Sequence, residues 1–588
     1  MEKDKSFGVR QIVTFPEKVR KFFYELLERP PKTKAELEMR KREFSRREII
    51  DTILNRDLVS IAQEDDIDLP KNLQTLLQKR AVRTISGVSP IGILTKPFGC
   101  PGKCVYCPTE YRMPKSYLST QPAAARAKRN HFHPYSQVHN RILALEDSGH
   151  PTSKLEVIVM GGTWSALPSR YQNWFVKKIF EAGNGEQRAT RKEQRIEKIK
   201  KAPIWTLQNL QKINETAEHR VIGLTLETRP DWINEKELMR MRRYGCTRIE
   251  IGVQTLDDSV QKLTQRGHYR SQVVRATRLM KDFGFKICYH LMPGLPGSTP
   301  EKDLQWMNEI FENPDFCPDF VKIYPCMVLP ESELYQWWKE GKYKPISTLD
   351  LIKLLLLFKK QVPPWARIMR LMRDIPANRV AAGASLSNLR QIMKDQPAKL
   401  REIVGEKFWK EHHLQNGVWP CRCVRCREVG FSDPVSRGEI PVLVRRDYDA
   451  SEGKEVFLSF ETRDRKHLFA LLRLRKPSEE KAASLELRVK SKGKAGPKIS
   501  YFKSVLNAHT ALIREVHSYG TEVVVGDEQG VGQHRGLGKK LIFKAERIAA
   551  DEWGMKQMAI IAGIGTREYY RKFGYEEKST YMVKKLVS

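Results

Sequence analysis

The chain has 588 residues, and its 104 Lys and Arg against 70 Asp and Glu leave a formal net charge of +34. Hydrophobic residues make up 40%, so packed cores are expected, and the length asks for several domains rather than one. No apolar run reaches membrane-spanning length and the start, MEKDKSFGVR, lacks a signal-peptide core, so the composition speaks for a cytoplasmic protein and against a membrane one.

So large a basic excess, spread along the chain, points to a polyanionic partner such as nucleic acid. Ten cysteines, six of them in two tight clusters, suit metal binding in a reducing compartment better than disulfides.

Residues 1–85 read as helical: VRKFFYELLERP, then KAELEMRKREFSRREIIDTILNR, then LPKNLQTLLQKRAV, divided by Pro30-Pro31 and the acidic turn at 64–68. Apolar residues recur at helical spacing with Lys and Arg between them. A basic module that grips an RNA backbone and a structural lid both fit this pattern.

Residues 86–330 alternate short β-rich runs with helical segments. The runs are IGILTKP, LEVIVMGG, VIGLTLETRP, RIEIGVQT, KICYHLMPG and FVKIYPCMV. Six βα repeats predict an α/β fold whose parallel sheet curls into a partial barrel, with chemistry at the C-terminal strand ends.

Cys100, Cys104 and Cys107, spaced Cys-x3-Cys-x2-Cys, follow the first run. Such a loop can hold three irons of a [4Fe-4S] cluster and leave the fourth open to chelate S-adenosyl-L-methionine. Zinc or three packed thiols fit the spacing too. Gly161 and Gly162 end the second run, where bare backbone lets a ligand approach closely, although a turn needs glycine as well. Glu227, Arg229, Gln254 and Lys322 end later runs, and their repetition at one end of successive strands marks a site.

The segment 331–430 is less regular, with an Arg-rich stretch and a second cluster, Cys421, Cys423 and Cys426. Three soft ligands so close favour zinc, with His412, His413 or Cys317 as the fourth. Arg422, Arg425 and Arg427 suggest a phosphate-facing surface. Residues 431–588 show antiparallel strand patterns, the mobile-looking KSKGKAGPKIS, and then a strand, TEVVVG, followed by a glycine turn and a helix. Gln533, Gly536, Leu537, Gly538 and Lys539 form Gln-x-x-Gly-x-Gly at that helix start, where consecutive N–H groups cradle a pyrophosphate. This resembles the acetyl-CoA loop of GNAT acetyltransferases, and it predicts a GNAT domain with Glu515, Val516, His517 and Ser518 along the coenzyme.

CVYCP, VIVMGGTWSALP, LETRPDWI, RIEIGVQTLDDSV, LMPGLPGS, KIYP and RDIPA, in this order, resemble the catalytic subunit of Elongator, a family joining a radical S-adenosylmethionine barrel to an acetyltransferase domain. The similarity covers about 86–588. The three-residue spacer before Cys104 is shorter than in many eukaryotic members.

The resemblance implies a structural zinc, an acetyl-CoA contact from Lys154, and Tyr570 as the phenol near the coenzyme sulfur, with Tyr569 as the alternative beside Arg567. It also implies the substrate, the wobble uridine in the anticodon stem-loop of tRNA. A transferase alone needs no radical and a radical enzyme alone needs no acetyl-CoA. Joined, they can couple the acetyl methyl carbon to carbon 5 of uridine, with Lys322 as an active-site cation and His517 or a tyrosine orienting the thioester. The competing expectation is a protein lysine acetyltransferase with a structural radical domain. Oligomeric state and accessory subunits leave no mark in the sequence.

Overall fold

The computed structural model describes residues 17–50, 53–65, 67–78, 84, 86–185, 206–384, 389–414, 421–430, 439–478, 505–520 and 536–586. The runs KSKGKAGPKIS and TEVVVG and the residue Gln533 lie outside them. The chain forms two compact units, Met1–Thr84 with Asn140–Thr152, and Ile85–His139 with Ser153–Ser588. No helix among the described residues is long and apolar enough to cross a membrane.

The first unit is helical: α1 (Glu17–Glu28), α2 (Lys34–Glu48), α3 (Asn55–Glu64) and α4 (Lys71–Leu77). Phe22, Phe23, Leu26, Leu37, Phe44, Leu58, Ile61, Leu73 and Leu77 form its core. Thr33 caps α2 by accepting from the Glu36 N–H at 3.1 Å, and the Glu36 carboxylate accepts from the Lys32 N–H at 2.8 Å. The sequence pattern runs one helix from 34 to 56. The structure breaks it at Ile49, whose φ of 49° ends α2, and restarts it where the Asp57 carboxylate accepts from the Leu54 N–H at 2.9 Å.

The second unit holds two sheets. The first is parallel throughout, in chain order: β1 (Ser89–Leu94), β2 (Lys154–Met160), β3 (Arg220–Thr228), β4 (Arg248–Gln254), β5 (Lys286–Leu291), β6 (Phe320–Ile323) and β7 (Arg367–Arg370). This is the expected partial barrel with one strand more: β7 comes from the segment read as a linker and pairs Phe320 with Arg367. Glu227 lies opposite Glu250, Glu250 opposite Cys288, and His290 opposite Lys322. Alternation along each strand points these side chains to one face, giving the barrel a charged interior.

The second sheet contains β8 (Val442–Ala450), β9 (Gly453–Glu461), β10 (Leu468–Lys476), β11 (Thr510–Ser518), β12 (Gln557–Ile560), β13 (Glu576–Lys578) and β14 (Tyr581–Lys585), ordered β13-β14-β12-β11-β10-β9-β8. β11 and β12 pair in parallel only over Thr510–Ile513 and Gln557–Ile560. β12 ends at Ile560 while β11 runs on to Ser518, so on this side Glu515–Ser518 form a wedge without a paired strand among the described residues. The helix Leu537–Arg547 covers this sheet, burying Leu537, Leu541, Ile542 and Ala545 in its core.

The second sheet docks on the amino ends of the barrel strands. Gly563 lies against the Ile222 carbonyl, and a Cβ there would come within 1.9 Å of that oxygen. The Tyr581 hydroxyl donates to the Phe283 carbonyl at 2.8 Å, and Arg514 Nη1 donates to the Phe285 carbonyl at 2.8 Å. The cysteine loop and the glycine pair leave the opposite, carboxyl ends of β1 and β2.

Candidate functional site

At the carboxyl end of the barrel, Gly102 N–H donates to Cys100 Sγ at 3.4 Å, and Cys100 Sγ lies 3.9 Å from Thr163 Oγ1, next to the glycine pair. A Cβ on Gly102 would sit 3.5 Å from Cys104 Sγ and 3.7 Å from Cys100 Sγ, so the glycine keeps a cradle clear between two sulfurs. Gly161 and Gly162 have φ of 129° and 98°. A Cβ on Gly161 would lie 2.2 Å from Thr95 Oγ1, so β1 and β2 close tightly behind the loop.

Among the described residues, Cys421, Cys423 and Cys426 have sulfurs all within 4.8 Å of one another; the three sulfurs of the loop are not so gathered. A loop of three thiolates spread wider than one zinc allows, with room between them and the buried Arg229 Nη1 left without a partner, fits a cluster that gives each thiolate its own iron.

Burial raises the Cys104 thiol, but the Arg266 guanidinium, 3.5 Å away, outweighs it and leaves the thiol below its usual range. Cys107, half-buried and beside the other cysteines, is pushed up to about 11 by desolvation and the Cys104 charge.

Inside the barrel Lys322 is not a free cation. Its Nζ donates to Glu250, which also takes His290 Nε2 at 2.7 Å. Burial raises Glu250, yet Lys322 and His290 overcome it and hold the carboxylate well below its usual range. Glu227, opposite, is raised by burial and by the Glu250 charge, and it accepts from the Tyr117 hydroxyl at 2.9 Å. Two carboxyls are thus split into an ionised one and one biased toward the neutral form. Gln254 ends β4 with φ of 68° and its buried Oε1 has no partner. Toward the amino end, Arg248 Nη1 binds Glu156 Oε1 at 2.5 Å.

The wedge lies at that amino end. Glu515 pairs with Arg473 at 2.8 Å. Burial lowers the His517 imidazole below its usual value, so it is neutral near pH 7; its ring packs 4.4 Å from Tyr519. A Cβ on Gly538 would meet Tyr569 Oη at 2.8 Å, Ser518 Oγ at 3.8 Å and Val516 Cγ1 at 3.9 Å. Gly538, the Val516–Ser518 end of β11 and Tyr569 therefore converge on one spot. Gly536, with φ of 66°, caps the helix that Leu537, Gly538 and Lys539 begin. Tyr570 instead sits in the hydrophobic core. Arg567 is buried and paired with Glu215 at 3.2 Å and Glu577 at 2.7 Å. Lys154 opens β2 beside Arg220, at the same amino end.

The second cluster brings Cys423 Sγ to 3.6 Å from Cys426 Sγ, with Cys421 alongside. Tetrahedral zinc at about 2.3 Å from each thiolate puts sulfurs about 3.8 Å apart, so the donor set fits. Cys317, His412 and His413 do not join it. Cys317 Sγ instead meets the carbonyls of Phe311, Asn313 and Asp449 at 3.6 to 3.8 Å, and the Phe408 ring packs on His412. The nearby cation is Lys359, whose Nζ lies 4.0 Å from Cys426 Sγ. Of the three arginines expected on a phosphate-facing surface, Arg422 is exposed, Arg425 pairs with Glu428, and Arg427 is buried against Glu461.

Sequence reasoning missed Arg266, Glu250, His290 and Tyr117. Glu250 carried a signal, a carboxylate inside the apolar run RIEIGV, whereas Arg266 had no spacing to reveal it.

Residues 95–310 match the model of the radical SAM superfamily, and residues 318–397 that of the radical SAM C-terminal domain. The chain is 44% identical over 512 residues to the tRNA uridine(34) acetyltransferase of Dehalococcoides mccartyi, covering 86% of this chain and all of that one. It belongs to the Elongator complex protein 3 family. The human Elongator complex protein 3 is 37% identical, with 88% of this chain and 87% of the human one covered. The solved Elp3 of Methanocaldococcus infernus, lacking its N-terminus, superposes with a TM-score of 0.66 at 38% identity, over 86% of this chain and all of that one. The family match accounts for the two-sheet architecture and for the radical SAM barrel.

Proposed function

We propose that the chain carboxymethylates carbon 5 of the wobble uridine of tRNA, taking both carbons from acetyl-CoA and using radical S-adenosylmethionine chemistry. The observation that carries this reading is the union, in one compact unit, of a cysteine loop at one end of a charged barrel and a coenzyme-type wedge at the other. The names of its relatives supply uridine 34 as the substrate.

In this reading Cys100, Cys104 and Cys107 hold the cluster, which when bound supplies the electron that splits the sulfonium of S-adenosylmethionine. Gly161 and Gly162 leave room for the methionine end. Gln533, Gly536, Leu537, Gly538 and Lys539 hold the pyrophosphate of acetyl-CoA through N–H groups at a helix start. Lys154, Glu515, Val516, Ser518 and Tyr569 line its path, with the Tyr570 ring packed behind Tyr569 in the core. His517, neutral near pH 7, can take a proton from the water that hydrolyses the thioester. Lys322 with Glu250 fixes charge inside the barrel, where a base flipped from a single-stranded anticodon would enter. Cys421, Cys423 and Cys426 hold a structural zinc, and the basic helical module binds tRNA.

The test is anaerobic incubation with tRNA, acetyl-CoA, S-adenosylmethionine and reductant, followed by nucleoside mass spectrometry. The expected product is 5-carboxymethyluridine at position 34. Unmodified uridine together with acetylated protein lysines would favour a lysine acetyltransferase.

A further inference from the structure

Two buried guanidiniums bracket the cysteine loop, and they are differently compensated. Arg266 gives Nη1 to Cys104 Sγ at 3.5 Å and Nη2 to the Gly252 carbonyl at 2.5 Å. Its hydrogen bonds thus go to a thiol and a carbonyl, not to a carboxylate. Arg229 gives Nε and Nη2 to Asp231 at 2.9 and 3.0 Å and Nη2 to the Gly267 carbonyl at 3.1 Å. Its Nη1 is buried without a partner and lies 2.5 Å from where a Gly102 Cβ would be, beside Cys100 and Cys104. One guanidinium touches a ligand sulfur; the other reaches the cradle only because residue 102 has no side chain.

We infer that Arg266 sets the reduction potential of the cluster held by this loop, with Arg229 as a weaker second charge whose effect Asp231 partly cancels. The inference rests on the cluster reading above. A cubane core with three thiolates carries one net negative charge when oxidised and two when reduced. A fixed cation at a ligand sulfur therefore favours the reduced form, and hydrogen bonds to the sulfurs act in the same direction. The site is buried, so solvent screens little of this. Arg266 is a positioning charge; it needs no contact with substrate.

The experiment uses the full chain, reconstituted anaerobically with iron and sulfide, and a spectroscopic redox titration without S-adenosylmethionine. Iron content and the cluster absorbance are measured first, and these alone decide whether a cluster is present. In Arg266→Met the ratio of reduced to oxidised cluster at a fixed potential is expected to fall about tenfold, a shift of about 59 mV downward for a one-electron couple. Arg266→Lys should stay near the parent. Asp231→Asn, which frees the Arg229 charge, should move the potential upward. Should the Met variant not keep its iron, Arg266→Gln, which retains an N–H but no charge, takes its place with the same downward expectation. An iron-replete neutral variant with an unchanged potential overturns the inference. So does a variant whose only change is weaker S-adenosylmethionine binding, because the guanidinium would then serve the substrate rather than the cluster.

Discussion

Arg514 of β11 grips Asp319, the residue before β6, through two parallel hydrogen bonds, Nη1 to Oδ2 at 2.8 Å and Nη2 to Oδ1 at 2.5 Å. Both side chains are fully buried, and Glu455 accepts from Arg514 Nη2 and Nε at 2.9 and 3.2 Å. This pair ties the second sheet to the amino end of the barrel. A buried pair adds little over well-packed apolar groups, yet removing one partner strands the other. Arg514→Met takes the cation both share from two buried carboxylates, leaving Asp319 to Arg473 at 3.6 Å and Glu455 to Arg475 at 3.2 Å and Lys281 at 3.5 Å, so a loss of about 3 kcal/mol is expected in denaturant unfolding. A loss under about 1 kcal/mol would mean that water already reaches the pair.

Buried ion pairs of this kind give stability a pH dependence with a definite sign. Burial works to raise Asp319, but Arg514, Lys281 and Arg473 hold it well below the usual carboxylate range. Burial likewise works to raise Glu461, which Arg446 and Arg427 bring down to about 2. A carboxyl with a lowered folded pKa contributes stability above its unfolded pKa, about 4 for these groups. That contribution drains away as the pH falls toward the folded value. Calorimetry should therefore give a melting temperature that drops steeply below about pH 4, and Arg446→Met should flatten part of the drop by releasing Glu461.

Much of this architecture was legible because strands buried on both faces read as apolar runs. All six predicted barrel strands exist, within a few residues of their ends. β7 was not legible: Arg367–Arg370 is four residues long and half arginine, and it is held by register with β6 rather than by its own pattern. The docking of the second sheet was equally hidden, since Gly563 against Ile222 joins positions over 300 residues apart. Ligand spacing exposed both cysteine clusters, but it could not reveal the companions that arrive from other strands and loops. Glu250 for Lys322, Arg266 for Cys104 and Lys359 for Cys426 are of that kind.

The thiol triad predicts one tightly held zinc per chain. Cys423 is fully buried within the triad, so Cys423→Ser should lower zinc content by elemental analysis and lower the melting temperature together. Binding free energy at such a site is folding free energy, and chelator treatment of the parent should therefore reproduce the lower melting temperature. Full stability in a zinc-free protein would leave the triad as packed thiols.

Lys322 separates a barrel role from a cluster role. Its Nζ is the ammonium on Glu250, and it lies on β6, whereas the cysteine loop follows β1. Lys322→Met should leave iron content unchanged while the modified nucleoside falls about 10²-fold, the usual scale for removing one preorganised charge. Loss of iron in this variant would show instead that the pair supports the loop.

On the proposed function, the two adjacent tyrosines divide coenzyme contact from packing. Tyr569 is 40% exposed, and its hydroxyl stands over Gly538 at the helix start. Tyr570 is packed among Leu541, Ile560 and Tyr575 in the core of the second sheet. Tyr569→Phe removes one hydroxyl from the coenzyme path, so acetyl-CoA affinity should fall about tenfold, the 1–1.5 kcal/mol of a single hydrogen bond, with an unchanged melting temperature. Tyr570→Ala empties a core position and should cost about 3–5 kcal/mol of stability. Isothermal titration with acetyl-CoA and thermal unfolding on both variants separate the two effects. Affinity lost only in the Tyr570 variant, at full stability, would move the coenzyme contact inward to that phenol.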